Sequence, residues 1–259
     1  MSAELKSTSQ GQTLILTISN PEMRNALGPE IYAAGVEALN VAESNPDVRS
    51  VVITGEGPWF CAGGNLQRLQ ANRLLPPEHQ AQSIENLHNF IEAIRVFPRP
   101  VIAAVEGPAA GAGFSLVLAC DLVVAARDAF FAMSYSNIAL SPDGGASHAL
   151  TQALPRALAS ELLMLGSRID APTLHNHGLV NRLAETGTAL SAALELAEQL
   201  NQRAPNALTS IKELLQQARG NSLTQQLALE RDAFVSNLHH PNAGIGITAF
   251  LNKSSPHYE

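Results

Sequence analysis

From residue 12 to residue 19 the row QTLILTIS interleaves apolar and polar positions and runs into Asn20-Pro21, the pattern of a strand closed by a turn. Pro29 suits the first turn of a helix. Ile31, Val36, Leu39 and Val41, set among alanines, carry helical spacing to Glu43, and Asn45-Pro46 stops it. Val48 to Thr54, VRSVVIT, is a β-branched run that opens into the glycine-bearing loop GEGPWFCAGGN. Gln80 to Phe97 places Ile84, Leu87, Ile91, Ile94 and Val96 at helical spacing, and Pro98 and Pro100 end that helix. Val101 to Glu106, VIAAVE, reads as a buried strand, and GPAAGAGFSLVLAC after it reads as a glycine-rich turn entering an apolar helix. Asp121–Ala126 and Ala129–Met133 read as further short strands. Strands alternating with helices predict an α/β core on a parallel sheet with right-handed crossovers.

Beyond Pro142 helical periodicity takes over, with helices expected at 146–153, 156–166, 186–202, 205–219, 222–239 and 242–252. No repeat, low-complexity tract or charge run interrupts the chain. A composition shift near residue 190 divides an α/β core, residues 1–190, from a helical C-terminal region, residues 191–259, whose apolar faces need something to pack against.

Hydrophobic residues make up 46% of the chain and charged residues 15%, far from the signature of disorder, so a folded core is expected. Sixteen Lys and Arg face 23 Asp and Glu, and the net charge of -7 offers no basic field for a polyanion. Nucleic acid is therefore not an expected partner. Cys61 and Cys120 sit in apolar segments and no Cys/His cluster has metal-ligand spacing, so neither a metal site nor a disulfide framework is expected, and a reduced cytoplasmic setting is. The opening MSAELKSTSQ lacks the apolar stretch of a secretory signal, and no run approaches the roughly 20 residues of a membrane span. No membrane association is expected.

Candidate chemistry starts at the glycines. Gly111-Ala112-Gly113 follows a strand and precedes a helix, but a dinucleotide fingerprint needs glycine where Leu116 stands. A nucleophile elbow at Ser115 fails likewise at Val117, and no phosphate-cradling loop with its lysine exists. Two strand-to-helix junctions remain, Cys61-Ala62-Gly63-Gly64-Asn65 and Gly107 to Gly113. Their small residues allow two readings: close packing of a turn on a sheet, or backbone N–H groups at helix starts that jointly form an oxyanion hole.

The rows WFCAGGNL (59–66) and RPVIAAVEGPAAGAGFSLVLACDLVVAA (99–126) resemble the crotonase superfamily, the enoyl-CoA hydratase/isomerase family. NPEMRNAL (20–27), SPDGGAS (141–147) and GSRIDAPTLHNHGLVNRL (166–183) resemble its other motifs in the same order, so the likeness runs from about residue 10 to the C-terminus. The resemblance implies a spiral of ββα units with a helical C-terminal trimerisation region, assembling as a homotrimer or a dimer of trimers. It implies an acyl-CoA thioester substrate, with coenzyme A entering as part of the substrate and no further cofactor. The thioester carbonyl would be gripped by the N–H groups of Gly64 and Ala112. Coenzyme A contacts would come from Arg24, Ala26 and Leu27, from Ala62, Gly63, Asn65 and Leu66, and from Lys253, with Asn65 replacing the family's usual aspartate.

The family's hydratases use two glutamates, and this chain has Ser115 and Tyr135 at the matching places, hydroxyls that supply acid/base catalysis of water addition poorly near neutrality. Asp143 matches the single acid/base aspartate of some of the family's isomerases, with Phe114, Ile138 and Leu140 as its expected apolar surroundings. One carboxylate suffices for a 1,3-proton shift, so the expected activity is 3-enoyl-CoA to 2-enoyl-CoA isomerisation. Asp143 could instead cap the helix starting near Ala146. The alternatives are a hydratase with other catalytic residues, a hydrolase or dehalogenase pairing His88 with Asp143, and a silent acyl-CoA-binding protein. His88 also fits as a buried structural histidine on an apolar helix face. Leu66, Leu69, Leu74, Leu75 and Ile84 are expected either to line the acyl pocket or to form the core face of their helices.

Overall fold

In the computed structural model, which describes residues 3–258, the chain opens with an antiparallel pair, β1 (Glu4–Gln10) and β2 (Thr13–Ser19). Then come α1 (Pro29–Glu43), β3 (Ser50–Gly55), α2 (Leu66–Asn72) and α3 (Pro77–Val96). β4 (Val101–Val105) and β5 (Pro108–Ala110) precede α4 (Ala112–Ala119), and β6 (Leu122–Ala126) and β7 (Phe130–Ala132) precede α5 (Ala146–Ala153) and α6 (Arg156–Leu165). β8 (Arg168–Asp170), α7 (Ala171–Asn176) and β9 (Arg182–Ala184) follow, and then α8 (Ala189–Asn201), α9 (Pro205–Ala218), α10 (Leu223–Leu238) and α11 (Pro241–Leu251).

The larger sheet has the order β1-β2-β3-β4-β6-β9, parallel throughout except at the β1 edge, and β5, β7 and β8 form a second, smaller sheet. Each turn of chain lays one strand in the large sheet, the next in the small sheet, and then a helix: β4-β5-α4, then β6-β7-α5. This is the ββα spiral. The central strands are buried on both faces, and period-two alternation sorts their side chains. Val51, Ile53, Val101, Ala103 and Val105 face a core built with α1, α3 and α4. Val52, Ile102, Ala104 and Val124 face the other way, onto Ala189, Ala193, Leu196 and Ala197 of α8. The alanines at period four, Ala189, Ala193 and Ala197, let α8 lie close on the sheet.

α9 to α11 extend the chain past this sandwich. Lys212 of α9 is 8% exposed and anchors the extension: its Nζ donates to Asp121 Oδ2 at 2.7 Å and to the carbonyls of Ile94 and Arg99. Leu215, Leu223, Phe234, Phe250 and Leu251 stay 68–85% exposed, so the apolar faces of these helices are largely uncovered in a single chain. Among the described residues no helix is long and apolar enough to cross a membrane.

Six elements lie outside the expected pattern: β1, α2, β5, α7, β8 and β9. β1 is an edge strand with six of seven residues exposed, so no hydrophobic face marks it. β5, β8 and β9 are only three residues long, too short for a period to show. α2 buries none of its residues and is held by its N-cap, where Asn65 Oδ1 accepts from the Arg68 N–H at 3.1 Å.

Candidate functional site

The turn after β2 is built first. Arg24 and Asn25 both take left-handed backbone, and Asn25, wholly buried, donates from Nδ2 to the carbonyls of Glu56 and Trp59 at 2.9 and 2.7 Å. Its Oδ1 accepts from the Asn20 N–H. The turn thus clamps the loop after β3, and two backbone bonds extend the clamp: Ala62 N–H to the Arg24 carbonyl at 3.0 Å and Leu27 N–H to the Gly63 carbonyl at 2.8 Å.

That loop meets the start of α4. Cys61 N–H donates to the Pro108 carbonyl at 3.1 Å and Ala110 N–H to the Cys61 carbonyl at 2.9 Å, a local parallel bridge between the two junctions. Gly63 has φ +92, and a Cβ there would stand 2.7 Å from the Ala110 carbonyl oxygen and 3.5 Å from the Ala112 nitrogen. Only glycine lets the turns close this far. The Gly64 and Ala112 N–H groups take no acceptor among the described residues. Ala112 opens α4, where an N–H lacks an intrahelical partner and the helix dipole favours negative charge.

Both amides open on a cleft of 610 Å³, and Asp143 is the one carboxylate among its described lining residues. Tyr135, at the turn before Ser136, donates its phenol proton to Asp143 Oδ1 at 2.6 Å. Burial, with the Asp143 charge beside it, pushes that phenol well above the ordinary tyrosine range, so it stays a proton donor near neutrality. Ser115 is 1% exposed and donates to the Asp143 backbone carbonyl at 3.1 Å, which makes it a brace for the loop. The Asp143 carboxylate does not cap α5: the N-cap is Gly145, and only the Asp143 carbonyl bonds the helix, to the Ala146 N–H.

Of the residues expected to hold substrate, Leu27, Ala62, Gly63, Asn65 and Leu66 line the cleft, and Ala26, Leu27 and Asn65 line a second hollow of 230 Å³ beside it. Arg24 lines neither: it is exposed, with its guanidinium 5.8 Å from the Trp59 ring centroid, and only its backbone supports the site. Lys253 is exposed beyond α11 and also lines neither. Among the apolar candidates, Leu66, Leu69, Ile84, Ile138 and Leu140 line the cleft. Phe114 does not, because it is fully buried in the core with its ring 4.9 Å from that of Phe131. Leu74 and Leu75 are turned out to solvent, 85% and 47% exposed. His88 is in the cleft wall with its side chain 42% exposed, facing Glu85 at 3.9 Å, so packing does not bury it and no bond joins it to Asp143.

Several polar lining residues carried no signal in the motifs, among them Tyr32 of α1, Arg68 of α2 and Ser83 of α3. Tyr32 is 6% exposed, and burial and the Asp143 charge push its phenol up while the Arg68 charge pulls it down. Arg68 Nη2 donates to Ser83 Oγ at 2.6 Å.

The model of a family described as enoyl-CoA hydratase/isomerase matches residues 8–259. A 1,2-epoxyphenylacetyl-CoA isomerase of Escherichia coli (strain K12) is 34% identical over 246 residues, covering 95% of this chain and 94% of that protein. A 2,3-dehydroadipyl-CoA hydratase of the same organism is 31% identical over 257 residues, covering 99% of each. The crystal structure of an enoyl-CoA hydratase from Polaromonas sp. JS666 superposes with a TM-score of 0.98 at 70% identity, covering 99% of this chain and 100% of that one.

Proposed function

Since the chain belongs to the enoyl-CoA hydratase/isomerase family of the crotonase superfamily and is an acyl-CoA-processing enzyme, we propose that it converts a 3-enoyl-CoA to the conjugated 2-enoyl-CoA, with Asp143 as the single acid/base. The observation that carries this reading is one carboxylate, held by Tyr135, facing a cleft onto which two unpartnered amides open. The thioester oxygen accepts from the Gly64 and Ala112 N–H groups, each worth about 3 kcal/mol once charge develops on that oxygen. Asp143 removes a C2 proton, the C3=C4 double bond shifts to C2=C3 through the dienolate, and the same proton is delivered at C4. The carboxylate ends the cycle as it began it. Tyr135 occupies Oδ1 and leaves Oδ2 to carry the proton.

Coenzyme A is held, in this reading, by Ala26, Leu27, Ala62, Gly63, Asn65 and Leu66, with the Arg24 carbonyl fixing the Ala62 backbone. The uncovered apolar faces of α9 to α11 support assembly as a homotrimer or dimer of trimers, in which Lys253 would be free to reach a neighbour's substrate. Light scattering on a sizing column reads the mass directly, and a monomer at micromolar concentration sinks the assembly.

Hydration is the second reading, favoured by the 70% identical structure of an enoyl-CoA hydratase. One pair of assays separates the two. Wild type and Asp143→Asn are given 3-hexenoyl-CoA, followed by the absorbance of the conjugated thioester, and crotonyl-CoA, followed by its loss. Isomerisation that falls by about two to four orders of magnitude in the variant upholds the proposal. Hydration of crotonyl-CoA without isomerisation replaces it with the hydratase, and acyl-CoA binding without either reaction makes the protein a silent binder.

A further inference from the structure

The proton shift leaves one buried donor of the cleft without a task. Tyr32 stands on the first turn of α1, and the bond from the Leu27 N–H to the Gly63 carbonyl ties the start of that helix to the turn that carries the Gly64 amide. One turn further on, Gly35 leaves no room for a Cβ against the Phe90 ring, which seats α1 closely on α3. Tyr32 lines the cleft at 6% exposure, and its side chain makes no hydrogen bond among the described residues. Its oxygen is not sealed in, since Asn201 Oδ1 is the one fully covered side-chain polar atom of the described residues without a partner. A buried hydroxyl left unpaired is costly, so this donor calls for an acceptor that the chain itself does not supply.

Tyr32 takes no part in the hollow lined by Ala26, Leu27 and Asn65, and shares with Asp143 the lining of the larger cleft. Burial raises its phenol, and of the charges around it that of Asp143 acts most strongly, so near neutrality Tyr32 donates and does not accept from an acid. No bond joins the two residues, and Tyr135 takes only Oδ1, which leaves Oδ2 a free acceptor among the described residues. A free donor and a free acceptor that share a cleft without touching are satisfied together by a group that both accepts and donates, which is a hydroxyl. Resting on the acyl-CoA reading of the site, we infer that Tyr32 and Oδ2 of Asp143 hold one hydroxyl oxygen between them, borne by the acyl chain close to the carbons that Asp143 serves, so that the cleft takes hydroxyacyl thioesters in preference to unsubstituted ones. The oxygen accepts from the phenol and donates to the carboxylate. A carboxylate oxygen has two lone pairs, so Oδ2 can accept this bond and still take a proton from carbon. Water has the same chemistry. A hydrocarbon chain that displaces a well-held water leaves both groups unpaired, whereas an acyl hydroxyl replaces its bonds one for one.

The test is calorimetric titration of the full-length protein with butanoyl-CoA, 3-hydroxybutanoyl-CoA and 4-hydroxybutanoyl-CoA, for wild type and for Tyr32→Phe, which removes the hydroxyl and keeps the ring. None of the three has a carbon–carbon double bond to shift, so failure of the isomerase reading leaves the comparison standing. Dehydration of a hydroxyacyl ligand would show as the absorbance of a conjugated thioester and would count against that reading alone. Wild type is expected to bind one of the hydroxyacyl ligands about tenfold more tightly than butanoyl-CoA, as a hydrogen bond to a charged group provides. In Tyr32→Phe that ratio falls to near one, while the affinity for butanoyl-CoA stays within about twofold of wild type. Equal affinities for all three in wild type overturn the inference and leave a water site only. A preference that survives Tyr32→Phe overturns the assignment to this residue. Parallel weakening of all three in Tyr32→Phe makes the phenol part of the cleft wall and overturns it too. Binding of none of the three, in wild type, overturns the acyl-CoA reading itself.

Discussion

Gly113→Ala puts a methyl group where the two amide-bearing turns touch. A Cβ on Gly113 would lie 2.6 Å from the Cys61 carbonyl oxygen, 2.7 Å from its Cβ and 2.8 Å from its Sγ. Ordinary contact begins near 3.4 Å, so turn and helix must part by about 0.8 Å. Two effects then compete. Gly113 is the second residue of α4, so alanine gains up to about 1 kcal/mol in helix propensity. Overpacking costs about 1–3 kcal/mol, so a net loss of about 1 kcal/mol in stability is expected. The functional loss should be larger. Cys61 cannot retreat alone, because its N–H and carbonyl are bonded to Pro108 and Ala110, and the displacement passes to Gly64 and Ala112. A misplacement of about 1 Å at a reacting centre costs on the order of a hundredfold in rate. Urea unfolding reads the first quantity and kcat/KM for 3-hexenoyl-CoA the second. Adding Cys61→Gly removes the Cβ and Sγ contacts but not the carbonyl contact, so it restores activity only in part. Wild-type kcat/KM in Gly113→Ala, with the fold intact, would refute the argument that the spacing of these turns sets the donor geometry.

Lys212→Met leaves the Asp121 carboxyl, 27% exposed at its side chain and raised by desolvation against the pull of the ammonium, with the Val101 N–H and water as partners, and should lower unfolding stability by about 1–2 kcal/mol in urea. Lys212→Met with Asp121→Leu should recover much of that loss, and no recovery would mean the lysine acts through its carbonyl contacts instead. The Tyr32 and Tyr135 phenols are raised in the folded protein, so the stability they contribute is complete below their unfolded value of about 10 and is lost as pH rises above it. Urea midpoints taken at neutral and at strongly alkaline pH should therefore fall less in Tyr135→Phe than in wild type. Burial pushes the Cys61 thiol up to about 12, so iodoacetamide at mildly alkaline pH should modify Cys61 only after denaturation. Stoichiometric labelling of Cys61 in the native protein would show that the junction opens.

The parts of the fold visible in the sequence are those where burial and period agree. β2, β3, β4 and β6 are buried on both faces and appear as apolar or β-branched runs, and α5 is found with its bounds, 146–153, intact. β1 is invisible for the opposite reason, since its register is set by pairing with β2 and not by a hydrophobic face. Periodicity also reports that a side chain is apolar without saying which surface it meets. The sequence predicts Phe114 beside Asp143, and it lies in the core; the spacing of Leu74 and Leu75 fits a pocket lining or a core face, and both face solvent.

The site divides along the same line. Backbone donors and the glycines that bring them together leave a signal, because only glycine tolerates the 2.7 Å approach at Gly63 or the contacts at Gly113. The clamp made by Asn25 leaves a weaker one: a buried asparagine in a left-handed turn looks in sequence like any polar loop residue. Tyr32, Arg68 and Ser83 leave none, since a tyrosine, an arginine and a serine on three amphipathic helices read as ordinary helix surface until the helices are packed. Yet these side chains, and not the backbone amides, differ in charge and hydrogen-bonding capacity from one acyl chain's needs to another's. An oxyanion hole stabilises any thioester enolate alike. It follows that the approach of the two backbone donors was legible at the junctions, whereas the side chains that α1, α2 and α3 add to the cleft wall sit at positions that no motif marks.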